Sequence, residues 1–250
     1  MISIHLADNL FLATVGIMKN KTSLLLLPGL LCDAALWEHQ TKTLRDVADM
    51  TVTDMTKDDT ISGMASRILA NAPKSFSLAG LSMGGYVAQE IMRIAPQRVE
   101  RLALIDTSAK ADTPNRRKQR QGLISQLGIG DFRGVTGKLL PYLIHSERLK
   151  DEDLISTIRK SAANIGPDAF IRQQTAILSR TDGVKDLKNI KCPTLVLCGR
   201  QDNLTPLSEH EEMAEAIPNA NLIIMEDCGH LAPLERPYAV SAVMRYWLTL

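Results

Sequence analysis

Three residues of this 250-residue chain, Ser82, Asp202 and His230, have the types needed to turn a hydroxyl into a nucleophile. A serine hydroxyl attacks poorly at neutral pH. It needs a base to take its proton, and the base needs a carboxylate to orient it. Ser82 sits in Gly80-Leu81-Ser82-Met83-Gly84, at the end of the apolar run Ser77-Leu78-Ala79 and ahead of an apolar-periodic stretch that begins at Tyr86. A serine between small residues at a strand-to-helix turn reads as a nucleophile elbow. The turn holds the hydroxyl out into a cleft, and side chains at positions 80 and 84 would collide with the neighbouring strand and helix. The helix N-terminus beneath it suits an anion forming there. The pentapeptide alone is weak, because Gly-x-Ser-x-Gly arises by chance in about one chain in ten of this length. Its surroundings decide.

Five histidines are available: His5 in the N-terminal segment, His39 in the first helix, His145 midway, His210 at the start of a polar helix, and His230. Only His230 follows an apolar run, Leu222 to Met225, in a loop, Asp227-Cys228-Gly229-His230. A loop at a strand's carboxyl end is where a base must lie to reach Ser82, although an exposed loop histidine fits the same letters. Asp202 follows the run Thr194 to Leu197 through Cys198-Gly199-Arg200-Gln201, again at a strand's carboxyl end. Aspartate also favours plain surface turns of this kind. Asp106, closing the run Val99 to Ile105, is a rival carboxylate; Asp202 is preferred because its longer loop lets it approach the far side of His230. An oxyanion would need two backbone N–H donors. Met83, the residue after the nucleophile, supplies one, and Leu30 in Leu27-Pro28-Gly29-Leu30-Leu31-Cys32-Asp33 the other. Pro28 has no N–H, and Gly29 permits the bend that exposes the next amide.

The elements that must position these groups alternate. Leu24 to Leu27 reads as a strand buried on both faces, Ala34 to Leu44 as helical, Met50 to Thr53 as a strand and Ile61 to Ala72 as a helix. Ser75 to Leu81 is a strand, Tyr86 to Ile94 a helix and Val99 to Ile105 a strand. Strand, helix and strand return at Thr194 to Leu197, Glu209 to Ala216 and Leu222 to Met225. A final helix opens at Pro237, with Val240, Val243, Met244, Trp247 and Leu248 forming an apolar stripe. This pattern predicts an α/β fold with a mostly parallel sheet and helices on both faces. Residues 110–187 interrupt it with a polar, helix-favouring stretch that has Gly and Pro breaks near 128–141 and 166–167. We read residues 1–109 and 188–250 as one core and 110–187 as a helical lid insertion over the ligand crevice. Leu139, Leu140, Tyr142, Phe170 and Ile171 are expected to pack over Ser82.

Composition excludes several classes. A net charge of +1 and 4% aromatic residues give no nucleic-acid platform, and no apolar run reaches the 18 residues of a membrane span. Cys32, Cys192, Cys198 and Cys228 show no CxxC spacing, which points away from a metal or redox site and towards the cytoplasm. Met18-Lys19-Asn20-Lys21 before Leu24 to Leu27 imitates a secretory leader, but a buried strand followed by a catalytic loop explains it better. The neutral total hides an asymmetry: residues 110–190 hold 15 Lys/Arg against 9 Asp/Glu, with Arg116-Arg117-Lys118-Gln119-Arg120 near the start. Such a cover would steer an anionic substrate or an acidic carrier protein, and a solvated helix face accounts for the same residues.

Taken together, the segments 24–31, Gly-Leu-Ser-Met-Gly-Gly (80–85), 95–106, 193–202 and Cys-Gly-His-Leu-Ala-Pro-Leu-Glu-Arg-Pro (228–237) resemble the α/β-hydrolase superfamily over essentially the whole chain. The order Ser82, Asp202, His230 is that of the fold. The likeness is to its lidded branch of small-molecule esterases, enol-lactonases, C–C hydrolases and cofactor-free haloperoxidases. It implies Ser82 as nucleophile, Asp202 as acid and His230 as base. Many relatives carry His-Gly where this chain has Pro28-Gly29, and the aspartate-nucleophile branches are argued against by Ser82. The expected activity is hydrolysis of a small carboxylic ester through an acyl-enzyme, without metal or organic cofactor. C–C bond hydrolysis, lactone opening, perhydrolysis and a non-catalytic receptor are the alternatives on the same residues.

Overall fold

Leu24 to Leu27 cannot be satisfied by a sheet with a wet face, and the sheet they enter is covered on both sides. A computed structural model describes residues 21–127, 132 and 134–250; His5, the leader-like segment before Lys21 and part of the 128–141 break lie outside the described residues. Six strands, β1 (Thr22–Leu27), β2 (Ala48–Val52), β3 (Phe76–Leu81), β4 (Val99–Ile105), β5 (Thr194–Gly199) and β6 (Ala220–Met225), form one sheet in the order β2-β1-β3-β4-β5-β6. Every neighbouring pair is parallel.

Period-2 alternation sends successive side chains into two cores. Leu24, Leu26, Ala79, Leu81, Ala103, Ile105, Leu195 and Leu197 point to one face. There they meet Leu36, Trp37 and Leu44 from around helix α1 (Glu38–Thr43), and Val240, Met244 and Trp247 of the C-terminal helix (Pro237–Thr249). Leu25, Leu27, Leu78, Leu102, Leu104 and Val196 point to the other. That face is closed by helices α2 (Ile61–Asn71) and α3 (Met83–Ile94) and by Met213 of a helix spanning Leu207–Ala216. The stripe expected on the last helix is buried at Val240, Met244, Trp247 and Leu248, with Val243 at its margin.

Between β4 and β5 the chain is helical: α4 (Pro114–Leu127), the short α5 (Leu140–Leu143), and the 28-residue α6 (Glu152–Ser179). The break expected at Gly166-Pro167 is present: two helical segments meet there at a kink, where Gly166 leaves helical geometry at φ 73° and Pro167 restarts the helix with a φ it already favours. Helices α7 (Leu207–Ala216), α8 (Ala232–Glu235) and α9 (Pro237–Thr249) complete the chain.

Several boundaries shift by one to three residues from the sequence reading, and two differences have a local cause. Helix α3 begins at Met83 rather than Tyr86, because its first turn packs so tightly that glycine is required where a helix former was sought. The four-residue α8 was not anticipated; a single turn is too short to show a period.

Register brings the chemistry to one edge. Leu27 pairs with Gly80, Leu81 with Ile105, Ile105 with Leu197 and Gly199 with Met225, so the carboxyl ends of five strands lie in line. Gly84 of α3 lies against β1 so closely that a Cβ there would overlap the Leu27 carbonyl. Gly84→Ala should therefore unfold or lower the melting temperature by an amount equivalent to roughly 2–4 kcal/mol, as overpacking against rigid backbone does. Gly122→Ala in α4, where the added methyl meets nothing, should stabilise by about 0.5–1 kcal/mol. Thermal melts of both variants check the contrast.

Candidate active site

Ser82 links β3 to α3 with φ 53° and ψ −115°, a conformation that costs a non-glycine residue about 1–3 kcal/mol. Its neighbours hold it there. The Ser82 N–H donates to the Ile105 carbonyl at 3.0 Å, and its carbonyl accepts from the Gly85 N–H at 2.9 Å and the Thr107 hydroxyl at 2.8 Å. Ser82 Oγ then stands 2.9 Å from His230 Nε2, and His230 Nδ1 stands 2.7 Å from Asp202 Oδ2. With Asp202 ionised, Nδ1 carries the imidazole proton and Nε2 is left as an acceptor facing the serine hydroxyl.

Asp202 is buried, and each of its oxygens is occupied. Oδ1 accepts the N–H groups of Leu204 (2.8 Å) and Thr205 (3.0 Å), and Oδ2 accepts the Thr205 hydroxyl (2.7 Å) as well as His230. Burial pushes its carboxyl up, but the facing His230 and these hydrogen bonds outweigh burial and leave it below the usual carboxylate range. Asp106 is also buried, yet it does not touch the imidazole. Its Oδ1 accepts the Gly199 N–H and its Oδ2 the Ala232 N–H, each at 2.9 Å. Burial first, and the charge of Asp202 second, raise it well above the ordinary carboxylate value.

Two residues escaped the sequence reading. Glu235, only 1% exposed, accepts the N–H groups of Gly229 (2.8 Å) and Leu231 (3.4 Å), on either side of His230, and that of His145 (2.6 Å). Burial raises its carboxyl too. Gln173 of α6 accepts the Leu31 N–H at 3.1 Å and donates to the Met55 carbonyl at 3.1 Å, with Leu31 at φ 61°. That spends the Leu31 amide; among the described residues neither the Leu30 nor the Met83 amide donates to a protein acceptor. Glu235 lies in the quoted 228–237 segment, but a charged residue beside Arg236 reads as surface until the loop closes over it.

His210 opens a helix of polar letters, as the sequence reading has it, and is fully buried: its Nε2 accepts the Thr107 N–H at 3.0 Å and its Nδ1 faces the Pro206 carbonyl at 3.2 Å. A cavity of about 840 Å³ opens on Ser82 and His230, with Leu30, Leu139, Tyr142 and Phe170 among its walls. That is room for a ligand of drug size. Leu140 and Ile171 are not in its walls; Leu140 is instead part of the core beneath. Among the described residues no group of three His, Cys, Asp or Glu side chains is placed to hold a metal ion, and no helix is long and apolar enough to cross a membrane.

Known proteins share this arrangement of elements. A family profile described as alpha/beta hydrolase fold matches residues 69–237. A pimeloyl-[acyl-carrier protein] methyl ester esterase of Nitrosomonas europaea is 26% identical over 186 residues, covering 72% of this chain and 73% of that protein. The first three curated relatives are matched over 64%, 73% and 65% of their own length. A thermophilic esterase from Thermogutta terrifontis, solved with malate bound, superposes with a TM-score of 0.82 at 27% identity, covering 91% of this chain and 89% of that one. The enol-lactonase of Burkholderia xenovorans has a TM-score of 0.84 at 22% identity over 92% of both chains, a likeness of fold.

The buried His210 sets a pH dependence. Burial holds its imidazole below the ordinary value of about 6.5, outweighing the charge of Asp202, so the fold keeps it neutral. The unfolded chain takes up a proton below that pH which the fold refuses. This part of the stability is complete above about pH 6.5 and declines as the pH falls. His210→Gln keeps an acceptor for Thr107 but cannot titrate. Its melting temperature should change less than the wild type's between pH 7 and pH 5 in thermal scans.

Proposed function

This chain belongs to the α/β hydrolase fold family, and we propose that it is a serine hydrolase cleaving a small carboxylic ester, or a related acyl compound, through an acyl-enzyme on Ser82. One observation carries the reading: an unbroken run of hydrogen bonds, 2.9 Å and then 2.7 Å, from Ser82 Oγ through the His230 ring to Asp202, beside a cavity that can hold a substrate. The esterases among the relatives support the same reaction class.

In the proposed reaction His230 Nε2 takes the hydroxyl proton as Ser82 Oγ attacks the ester carbonyl. Asp202 keeps the imidazole in the tautomer that accepts at Nε2 and stabilises the imidazolium. The amides of Leu30 and Met83 receive the tetrahedral oxyanion, each worth about 2.7–4 kcal/mol by analogy with other oxyanion holes. His230 then protonates the leaving alcohol, and water activated by the same ring releases the acid. Asp106 and Glu235 act at a distance: by binding the amides of Ala232, Gly229 and Leu231 they fix the loop that carries the base. Residues 110–187 serve as the lid of this site. The four free thiols suit a reducing compartment such as the cytoplasm.

Hydrolysis of p-nitrophenyl esters from acetate to decanoate tests the proposal. Ser82→Ala should remain folded and lose around 10⁶ in kcat. Asp202→Asn should lose on the order of 10⁴ through the wrong imidazole tautomer, and Asp106→Asn far less. Near-normal turnover in Ser82→Ala overturns the mechanism. A large loss in Asp106→Asn with little in Asp202→Asn moves the acid role to Asp106.

A further inference from the structure

The run Arg116-Arg117-Lys118-Gln119-Arg120 is not simply a solvated helix face. Helical spacing separates it: Arg116, Gln119 and Arg120, at i, i+3 and i+4, line the cavity that contains Ser82, whereas Arg117 turns to the Leu178 carbonyl and Lys118 is exposed. Lys138 lines the same cavity, and among the described residues no aspartate or glutamate does. Among the described residues three cations thus line the cavity together with apolar side chains such as Leu123, Phe132 and Phe170.

Their charge is only partly balanced from behind. Asp112 is the only carboxylate paired with Arg120 among the described residues, and its fully buried side chain is shared: Oδ2 lies 2.7 Å from Arg120 Nε, and Oδ1 lies 2.9 Å from Arg180 Nη2. One negative charge therefore serves two guanidiniums. Arg116 has no carboxylate partner among the described residues; its Nη2 donates to the Leu204 carbonyl at 2.8 Å, which anchors it at the cavity wall. Arg120 spends a second donor on Gln174 Oε1 at 2.8 Å. Each guanidinium has five donors, so most of those on Arg116 remain for a ligand. Asp202 is already engaged by His230 and Thr205.

We infer that Arg116 and Arg120, with Lys138, form a carboxylate-binding subsite of the Ser82 cavity, so that the preferred substrate is an ester of a small organic acid bearing a second, free carboxylate beyond an apolar spacer. The inference rests on the hydrolase reading for the chemistry at Ser82, but not for the binding of the anion. A planar guanidinium fork matches the two oxygens of a carboxylate, and a half-dry cavity strengthens that pairing over the same contact in water. The apolar lining of the cavity, Leu123, Phe132 and Phe170 among it, favours a methylene spacer over a polar one.

The test compares p-nitrophenyl hexanoate with mono-p-nitrophenyl adipate, which differ only in a terminal methyl or carboxylate. For the wild type, kcat/KM should favour the adipate ester, and the preference should shrink in high salt. Arg116→Gln should lower the anionic-to-neutral ratio about tenfold, with Arg116→Lys retaining part of it. Lys138→Gln, an exposed substitution that leaves the fold alone, should lower it by about threefold. A wild-type ratio at or below one, or a ratio unchanged in all three variants, overturns the subsite. Calorimetry with adipate, on wild type and Ser82→Ala, separates this from the hydrolase reading. Adipate binding that weakens in Arg116→Gln supports the subsite even if no ester is turned over. Ester turnover through Ser82 without adipate binding removes the subsite and leaves the hydrolase. Inorganic phosphate competing as well as adipate would overturn the carboxylate assignment.

Discussion

Crowding at the carboxyl end of β3 is the constraint on which the rest of the site depends. The first turn of α3 packs against the Leu27 carbonyl of β1 and against Thr107 beyond β4, and Gly84 and Gly85 leave no room for a Cβ in either direction. The chain can pass from strand to helix there only by putting Ser82 in the left-handed region. That strain lifts the hydroxyl out of the sheet, and it holds because the Ser82 N–H and carbonyl are both bonded to the strand end next door. A serine on an ordinary turn would have neither the exposure nor the fixed direction.

The second requirement is a histidine held still on a loop. Loop backbone that is buried must find acceptors, and here they are carboxylates rather than strands. Asp106 joins the ends of β5 and the His230 loop by accepting one amide from each. Glu235 gathers amides from both sides of His230 and from His145 of the inserted segment. The His230 N–H itself donates to Leu143, also of that segment, at 3.0 Å. The inserted segment is therefore bonded to the loop of the proposed base, and residues of it also line the cavity. Burial works against ionisation of Asp106 and Glu235, and the amide donors work for it. A loop secured this way depends on those hydrogen bonds more than on apolar contact.

Electrostatics divides the molecule in a way that its net charge of +1 conceals. The acidic groups near the nucleophile are turned into backbone amides and the imidazole, away from the cavity. Arg116 and Arg120 of α4 line it. A ligand in that cavity meets apolar side chains, the serine and an excess of positive charge.

The sequence by itself determined the β-α alternation, the parallel sheet and the candidates for its edge, Ser82, His230 and the two carboxylates Asp106 and Asp202. Apolar runs such as Leu24 to Leu27 announce strands buried on both faces, and the order of Ser82, Asp202 and His230 follows strand ends that local patterning already marks. Short-range physics suffices there, because periodicity and turn chemistry act over a few residues. Only the tertiary structure decided which carboxylate reaches the imidazole, since Asp106 and Asp202 both end strands and differ only in where the loop folds back. It alone buried His210 and Glu235, which polar neighbours in the sequence made look exposed. It also turned Arg116 and Arg120 inward while leaving Lys118 in water. Burial and orientation are set by contacts between residues that can lie more than a hundred positions apart, and no local pattern contains them.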